Sequence, residues 1–360
     1  MKAENNLINE KYMDYQKLGK RKLKEWFERF AEKECIEVSP LYYFLANEIS
    51  KDEELLNIAS FCKQRQPMPN LFLASVHYLL INNPSRELAN YYPSITKDYR
   101  LNLPFKLFKE FCINNKEEII ELEQTKIVQT NALNRCAYLM PILSSLFNST
   151  EINIIDIGTS AGLTLNLDKY EYHYNNRITK GESAVKIRSE IRSGELPKFE
   201  SIINIKNKIG IDQNPLDVKI EENANWLKAL IWADITERVE KIEQAISIAQ
   251  QENIQYEKAK SIFEFEQIIL DQDNDIPLVV FHTHTLYQFT PEERKEFWNL
   301  MDAVGSKRDL VYLATEYSKV LDRNYGIDGV IVELTDYQKG AKSRRLIAET
   351  NGHANWIKWN

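Results

Sequence analysis

Residues 152–162 have the sequence INIIDIGTSAG, and this stretch decides the fold of the chain. Its start is an almost continuously apolar run of strand length, which is typical of a strand buried on both faces of a parallel sheet. Glycine and small residues follow at once, and then a short apolar segment, Leu163–Asp168. The pattern predicts a buried strand, a tight turn and a helix, in that order.

Similar apolar runs recur later in the chain. They lie at Pro277–Phe281 and Leu310–Ala314, and another strand is predicted to end at Asp212. The intervening segments have helical periodicity: Asn225–Ile231, Arg238–Gln250 and Pro291–Val304. Alternating strands and helices predict an α/β domain with a mostly parallel, Rossmann-like sheet. The tail segments GVIVELTDY and RRLIAETNGH predict an antiparallel pair at the C-terminal end.

The first part of the chain has a different character, because Gly19 is its only glycine before Gly158. A scarcity of glycine favours helices joined by polar or proline-containing loops. Helix starts are predicted at Ser39-Pro40 and at Pro67–Asn70, and a longer helix at about 104–124. We therefore predict an all-helical N-terminal domain at 1–148 and a Rossmann-like domain at 149–360, with a β-rich insertion at about 168–207.

Three tyrosines alternate with polar residues inside this insertion. They are Tyr170, Tyr172 and Tyr174. Alternation places them on one face of a strand. A packed strand face is the favoured interpretation, and a ligand cage is the alternative.

Composition limits the class of partner. The chain has 360 residues, 43% of them hydrophobic, and a formal net charge of −7. A mildly acidic protein is poorly suited to general binding of nucleic acid or membrane surfaces, so a small-molecule or peptide-like partner is expected. The oligomeric state is left open.

Cysteine spacing and the N-terminus bear on the cellular compartment. Four isolated cysteines, without CxxC spacing, argue against disulfides and zinc: Cys35, Cys62, Cys112 and Cys136. The N-terminal residues contain no apolar run like that of a signal peptide. We therefore expect a cytoplasmic location and no metal.

The loop after the first predicted strand has the features of a ligand site. Gly158 permits a tight turn, and a backbone of small residues permits close approach to a ligand: Thr159, Ser160, Ala161 and Gly162. The following helix is expected to offer unpaired N–H groups to a carboxylate or phosphate. Asp156 suits an amino group or hydroxyls better than a pyrophosphate, which favours S-adenosylmethionine over a dinucleotide.

A second acidic residue supports a nucleotide-like cofactor. Asp212 ends a predicted strand, where an acidic side chain accepts hydrogen bonds from ribose hydroxyls in Rossmann-like folds. The alternative is that Asp212 and Asn214-Pro215 only form a turn.

The loop also matches the G-x-S-x-G pattern of a nucleophile elbow, with Ser160 as the nucleophile. Glu316 and His353 follow in the order that a serine hydrolase requires. Hydrolase sheets place several strands before the nucleophile, whereas the residues before Ile152 are predicted to be helical. The hydrolase is therefore the less favoured hypothesis.

Two histidines follow the apolar run at Pro277–Phe281. His282 and His284 lie where ligands bind in open parallel sheets, and their spacing places both on one side of the strand. Either imidazole can act as a general base. The alternative, strongest for His284, is a hydrogen-bonded structural role. A metal pair is disfavoured because no third ligand lies nearby in the sequence.

The chain resembles the bacterial family of domain of unknown function 2332 (DUF2332), whose core is similar to S-adenosylmethionine-dependent methyltransferases. The stretches that carry the resemblance are PNLFLASVHYLL, LANYYPS, VQTNALNRC, IDIGTSAGLTLNLDKYEYHY, GIDQNPLDV, NWLKALIWAD, VVFHTHTLYQF and NGHANWIKW. The resemblance implies that four residues before the first strand belong to the site: Gln129, Thr130, Asn131 and Arg135. It makes Arg135 the partner of the cofactor's carboxylate. A salt bridge on a helix surface is the alternative for this residue.

The combined hypothesis is an S-adenosylmethionine-dependent methyltransferase that acts on a small or peptide-like acceptor. His282 and His284 are its predicted catalytic residues. The helical domain is expected to cover the cleft, although His77, Tyr91 and Tyr92 fit its core or an interface better than the site. The alternatives are a non-catalytic protein that binds S-adenosylmethionine or a nucleotide, and the serine hydrolase.

Overall fold

The computed structural model describes residues 14–129, 131–148, 150–175 and 178–360. The chain divides into two compact units, and the domain boundary predicted at 148/149 stays a prediction. The first unit comprises Met1–Thr130 and Glu221–Glu243, and the second comprises Asn131–Ile220 and Gln244–Asn360. The fold is mixed α/β, with a large, mostly parallel sheet in the second unit.

The α-helices of the described residues are listed here in chain order. They are α1 (Lys20–Phe30), α2 (Pro40–Ile49), α3 (Glu53–Ala59), α4 (Met68–Asn82), α5 (Phe105–Asn114), α6 (Lys116–Thr125), α7 (Cys136–Phe147), α8 (Glu221–Ala229), α9 (Thr236–Gln251), α10 (Phe263–Leu270) and α11 (Pro291–Lys307). None of them is long and apolar enough to cross a membrane.

Local sequence explains several of the helix starts. The Ser39 hydroxyl accepts a hydrogen bond from the Tyr42 N–H, and Pro40 occupies the first turn of α2, as predicted. α4 begins at Met68, again as predicted. The single helix predicted at 104–124 is instead two helices, because Asn115 has a ψ of 27° and interrupts the helical backbone.

The strands of the described residues form one sheet. They are β1 (Ile152–Ile157), β2 (Glu171–Tyr174), β3 (Ile178–Lys180), β4 (Lys186–Ser193), β5 (Ile205–Asp212), β6 (Ile254–Lys258), β7 (Leu278–Thr283), β8 (Leu310–Tyr317), β9 (Val330–Gln338), β10 (Ala341–Thr350) and β11 (Trp356–Trp359). The order across the sheet is β3-β2-β4-β11-β10-β9-β8-β7-β1-β5-β6.

β1 lies where the strand order changes direction. It pairs in parallel with β5 on one side and with β7 on the other. The chain adds β5 and β6 on the first side, and then returns to add β7 and β8 on the second. All six residues of β1 are buried, which confirms the expectation from its apolar sequence. The loop after β1 therefore lies where the chain changes the direction in which it adds strands to the sheet.

The hydrophobic core of this region lies between the strands and two helices. Side chains from β1, β5, β7 and β8 pack in one cluster with α10 and α11. A capping box begins α11, since Thr290 and Glu293 each accept a hydrogen bond from the other's backbone N–H. The central strands and α11 thus form a fixed support for the strand ends.

The tail of the chain forms the predicted antiparallel strands and one more. β8, β9 and β10 are successive antiparallel neighbours, and β11 pairs antiparallel to β10. β11 then pairs in parallel with β4. The predicted insertion is therefore not a separate layer, because its strands extend the same sheet.

The three alternating tyrosines form a packed face, as favoured from the sequence. All three are buried, and their hydroxyls donate to backbone carbonyls. Tyr170 donates to Leu163 O at 2.6 Å, and Tyr174 donates to Ala137 O at 2.7 Å. Tyr172 donates to Leu167 O. The insertion therefore holds the segment that follows the glycine loop.

That segment differs from the predicted helix. Leu163–Lys169 is a short 3-10 helix, and Asn166 within it has non-helical torsion angles. Two of its carbonyls accept from the hydroxyls of Tyr170 and Tyr172. Polar residues such as Asn166 also compete with the helical backbone for hydrogen bonds. The helix predicted at Leu163–Asp168 is therefore present, but as an irregular 3-10 helix.

Candidate functional site

The backbone of the loop after β1 is left-handed at three positions. The φ angles are +79° at Gly158, +53° at Ser160 and +66° at Gly162. A side chain at Gly158 would place its Cβ 2.3 Å from Thr285 Oγ1. Gly158 therefore permits both the turn and the close approach of the segment after β7.

The loop uses its own N–H groups within the fold. Gly158 and Thr159 donate to Ile211 O at 2.8 and 3.2 Å, and Gly162 donates to Thr159 O at 2.9 Å. Ser160 N–H donates to Asp212 Oδ2 at 2.8 Å. The Ala161 N–H points to Asn131 Oδ1 at 3.4 Å. The N–H groups of Gly158–Gly162 therefore all have acceptors within the fold, and the expectation of free N–H groups for an anion applies to the helix that follows the loop, where it stays a prediction.

Asp156 lies at the end of β1 and is only 2% exposed. Its carboxylate accepts a hydrogen bond from Thr164 Oγ1. Burial raises the pKa of Asp156 to about 7, and the hydrogen bond from Thr164 opposes this shift. A buried carboxyl that titrates near neutrality would gain from a bound cationic group.

Asp212 ends β5 and holds two turns at once. Its Oδ2 accepts from Ser160 N–H, and its Oδ1 accepts from Asn214 N–H at 2.8 Å. The turn considered as the alternative from the sequence is therefore present. Each carboxylate oxygen keeps a further acceptor position, so the turn does not prevent contact with hydroxyls.

Two residues before α7 also belong to this part of the molecule. Asn131 Nδ2 donates to Ser160 Oγ at 3.0 Å. Arg135 is largely buried, and its Nε donates to Gly352 O at 3.1 Å. Its Nη1 donates to the carbonyl and the hydroxyl of Thr283, at 3.1 and 3.2 Å. Arg135 therefore does not form the surface salt bridge considered from the sequence.

For the other two residues implied by the family resemblance, a role in this site stays a prediction. Gln129 belongs to the first unit, whereas the loop belongs to the second. Thr130 lies outside the described residues.

His282 is the penultimate residue of β7 and is fully buried. Its ring stacks on the ring of Tyr312 at 5.6 Å, and its Nδ1 shares a hydrogen bond with the Tyr312 hydroxyl. Burial, with a smaller contribution from the neighbouring His284, lowers the pKa of His282 to about 3. The imidazole is thus neutral at physiological pH.

His284 lies just beyond β7 and has a left-handed backbone, with a φ of +54°. Its side chain is 10% exposed. Burial lowers the pKa of His284 to about 3, with smaller contributions from Arg135 and His353. Both histidines face one carboxylate, as their spacing along the chain led us to expect of a shared site.

That carboxylate belongs to Glu316, near the end of β8. Glu316 Oε1 lies 3.9 Å from His282 Nε2, and Glu316 Oε2 lies 3.8 Å from His284 Nδ1. Burial raises the pKa of Glu316 to about 7, although the backbone N–H groups of residues 285–287 oppose the shift. The sequence points to Glu316 only through the hydrolase hypothesis. The feature that marks this residue is a lone carboxylate near the end of an apolar strand.

The comparison with protein families agrees with the resemblance found in the sequence. The model of a family described as an uncharacterized protein conserved in bacteria, DUF2332, matches residues 24–359. The chain belongs to the DUF2332 family. No curated protein matches the chain.

The DUF2332 match includes every strand-end residue described above, but it assigns none of them a role. Among the residues that the structure describes, no group of three His, Cys, Asp or Glu side chains is arranged to hold a metal ion. The distances between Glu316 and the two histidines are those of neighbours that do not form direct hydrogen bonds.

Two cavities in the second unit of this DUF2332 chain lie elsewhere. One, of about 500 Å³, lies beside Lys169 and Glu252. The other, of about 340 Å³, lies beside Leu146 and Trp359. Neither is lined by a residue of the Gly158–Gly162 loop.

Proposed function

We propose that this DUF2332 chain is an S-adenosylmethionine-dependent methyltransferase that acts on a small or peptide-like acceptor. One observation carries the proposal: Asp156 and Asp212 lie at the carboxyl ends of two neighbouring parallel strands, at the reversal of the strand order and beside the left-handed loop. Open α/β sheets bind nucleotide-like ligands at such positions. A Rossmann-like, methyltransferase-type architecture is part of the same proposal.

The chemistry of the side chains fits this cofactor. Arg135 Nη2 has no hydrogen-bond partner among the described residues, although the side chain is largely buried, so it is free to donate to a carboxylate. Asp156 would accept from the amino group, and Asp212 from the ribose hydroxyls. Gly158 is exposed, so its backbone is open to a ligand. The bound cofactor supplies a methyl group on a positively charged sulfur.

The residues of the chain would bind and orient the two reactants. Because Arg135 is fixed by Thr283 and Gly352, a carboxylate held by it would have a defined position. Transfer between well-aligned groups gains much of its rate from this positioning. His282 and His284 lie beside the same strand ends, on the β7 side of the loop.

Isothermal titration with S-adenosylhomocysteine tests the proposal. The wild-type protein should bind it, and Asp156→Asn should weaken binding at least about tenfold, the loss expected for one charged hydrogen bond. Asp336→Asn is the control, because this residue lies on β9 and away from the loop. A folded wild-type protein that does not bind S-adenosylhomocysteine would refute the proposal.

Two other functions are separated by simple measurements. A non-catalytic binding protein would bind S-adenosylhomocysteine but would transfer no methyl group from radiolabelled S-adenosylmethionine. The hydrolase gains support from the left-handed backbone of Ser160, since nucleophile elbows are strained turns. Against it, β1 is the first strand of the described residues, and Glu316 faces His282 and His284. Labelling by a fluorophosphonate that Ser160→Ala abolishes would favour the hydrolase.

A further inference from the structure

Three buried polar atoms without hydrogen-bond partners lie at the carboxyl ends of β7 and β8. They are His282 Nε2, His284 Nε2 and Glu316 Oε2, and both histidines lie within 4 Å of the Glu316 carboxylate. An unsatisfied buried polar group costs about 1–3 kcal/mol, so native proteins contain few of them. Such a cluster lies at the ligand-binding end of a parallel sheet, which indicates that a bound substrate supplies the missing hydrogen bonds.

We propose that Glu316 is the proton acceptor of the active site, that His284 connects it to the substrate, and that the methyl acceptor reacts through a nitrogen or oxygen that carries a proton. This inference rests on the proposed methyltransferase function. It narrows the acceptor to amines, imidazoles, phenols and similar groups. It disfavours carboxylates, which have no proton to lose on methylation.

The arrangement of Glu316 supports this role. Its Oε1 is fixed by the Tyr287 N–H, at 3.3 Å. Its Oε2 has no hydrogen-bond partner and faces His284 Nδ1 at 3.8 Å. The His284 side chain is 10% exposed and that of Glu316 is not, so the imidazole is the nearer of the two to solvent. His284 Nε2 is itself buried and unpaired, so a substrate bound against it would supply the missing partner. Catalytic hydrogen bonds are often long before substrate binds.

The charges around Glu316 come from several elements. His282 faces it from β7, His284 from the turn after β7, and Arg135 from the start of α7. The backbone N–H groups of residues 285–287 also act on it, and its charge acts in turn on the hydroxyls of Tyr287 and Tyr312. Burial outweighs these favourable contacts and raises the pKa of Glu316 to about 7, where a base both takes and releases protons efficiently. The charge of Arg135 also lowers the pKa of Asp156 slightly, so its field reaches both carboxyls.

The step balances as a displacement at the methyl carbon. The acceptor's lone pair forms the new bond to the methyl carbon, and the carbon–sulfur bond breaks with its electron pair going to sulfur. The acceptor's proton passes to His284 Nε2, while the proton on Nδ1 passes to Glu316 Oε2. Glu316 later returns its proton to His284 Nδ1, while His284 Nε2 releases the acceptor's proton to solvent, which restores the starting state.

The test compares Glu316→Gln with Glu333→Gln. Glu333 is a matched control because it is also fully buried, on the adjacent strand β9, and it forms ion pairs with Arg323 and Arg344. Radiolabelled S-adenosylmethionine is given with one of two probe mixtures, either small amines, imidazoles and phenols or small carboxylic acids. Binding of S-adenosylhomocysteine is measured in parallel. Difference infrared spectra of each variant against wild type follow the protonated carboxyl band with pH.

We expect methyl transfer only to the first mixture, the amines, imidazoles and phenols. The rate of transfer should fall about 10²–10⁴-fold in Glu316→Gln. This variant should still bind S-adenosylhomocysteine within about twofold of wild type. The difference spectrum between wild type and Glu316→Gln should contain a protonated carboxyl band that disappears as pH rises through neutrality. The difference spectrum between wild type and Glu333→Gln should lack this band. Transfer to the carboxylic acids, wild-type rates in Glu316→Gln, or no such band would overturn the inference. A wild type that fails to bind S-adenosylhomocysteine would instead refute the methyltransferase proposal.

Discussion

Asp212 accepts a hydrogen bond from the backbone N–H of Ser160 at 2.8 Å, and this bond links the end of β5 to the middle of the loop after β1. The same carboxylate accepts from Asn214 N–H. One side chain therefore holds two turns on neighbouring strands. The shape of the loop depends on a charge that lies 52 residues away in the chain.

Asp212→Ala should therefore destabilise the protein and free the loop. A hydrogen bond to a charged group contributes about 1.5–3 kcal/mol, and unfolding by urea should show a loss of this size. Amide hydrogen exchange at Ser160 should accelerate. Asp217→Ala is the control, because Asp217 also accepts from a backbone N–H but in an exposed turn. Equal losses in the two variants would contradict the linking role of Asp212.

Gly158 and Gly340 provide a matched pair of glycines. Their φ angles are +79° and +76°, but a Cβ at Gly158 would overlap Thr285, whereas nothing lies within 4 Å at Gly340. Gly340→Ala should lower the free energy of unfolding by about 1–2 kcal/mol, the strain of a left-handed alanine. Gly158→Ala should cost about 2–5 kcal/mol, because overpacking adds to that strain. Denaturant unfolding of both variants measures the difference, and similar losses would mean that the contact with Thr285 is unimportant.

The sequence predicted the parts of this fold that depend on local pattern. The apolar runs predicted to be strands correspond to β1, β7 and β8. The start of α2 lies at Ser39 and Pro40, as the capping pattern predicted. Family membership was also predicted and is confirmed. These features depend on neighbours within about ten residues, which periodicity and capping describe well.

The features that sequence analysis missed depend on which strands lie side by side. Glu316 meets His282 because β7 and β8 are neighbours, and His282 pairs opposite Ala314. The loop N–H groups are occupied because Ile211, at the end of β5, lies beside the turn. Neither relationship leaves a local signal, since strand order is not encoded in the periodicity of any one strand.

Glu123, in α6 of the first unit, should make stability depend on pH. It is fully buried, and neither carboxylate oxygen has a hydrogen-bond partner. Burial raises its pKa well above the ordinary value of 4.5. Because the unfolded state releases this proton at lower pH than the folded state, stability is greatest below that ordinary value. It should fall as pH rises toward the folded pKa, by up to about 1.4 kcal/mol per pH unit.

Glu123→Gln should reduce this dependence, because an amide does not titrate. Urea unfolding at about pH 5 and pH 8 compares the variant with wild type. The control is Glu121→Gln, at an exposed position on the same helix, which should keep the wild-type dependence. Identical pH dependence in all three proteins would show that Glu123 is already ionised in the folded state.

Asp156 should make binding of S-adenosylhomocysteine stronger as pH rises. Burial raises its pKa to about 7, so the carboxyl is mostly protonated below neutrality and mostly ionised above it. Only the ionised form attracts the ligand's protonated amino group. If that form alone binds, affinity should rise roughly tenfold between about pH 6 and pH 7.5, where the amino group stays charged. Isothermal titration across this range measures the change.

Two variants assign that dependence to Asp156 and not to another group. Asp156→Asn should bind weakly at every pH, because its amide neither ionises nor attracts an amino group through charge. Glu316→Gln should keep the full dependence, although Glu316 also titrates near pH 7, because Glu316 faces the acceptor and not the cofactor. A flat profile in the wild type would show that the amino group does not bind at Asp156. Since Asp156 is the penultimate residue of the strand from which the loop begins, the amino group would then have to bind away from the end of β1.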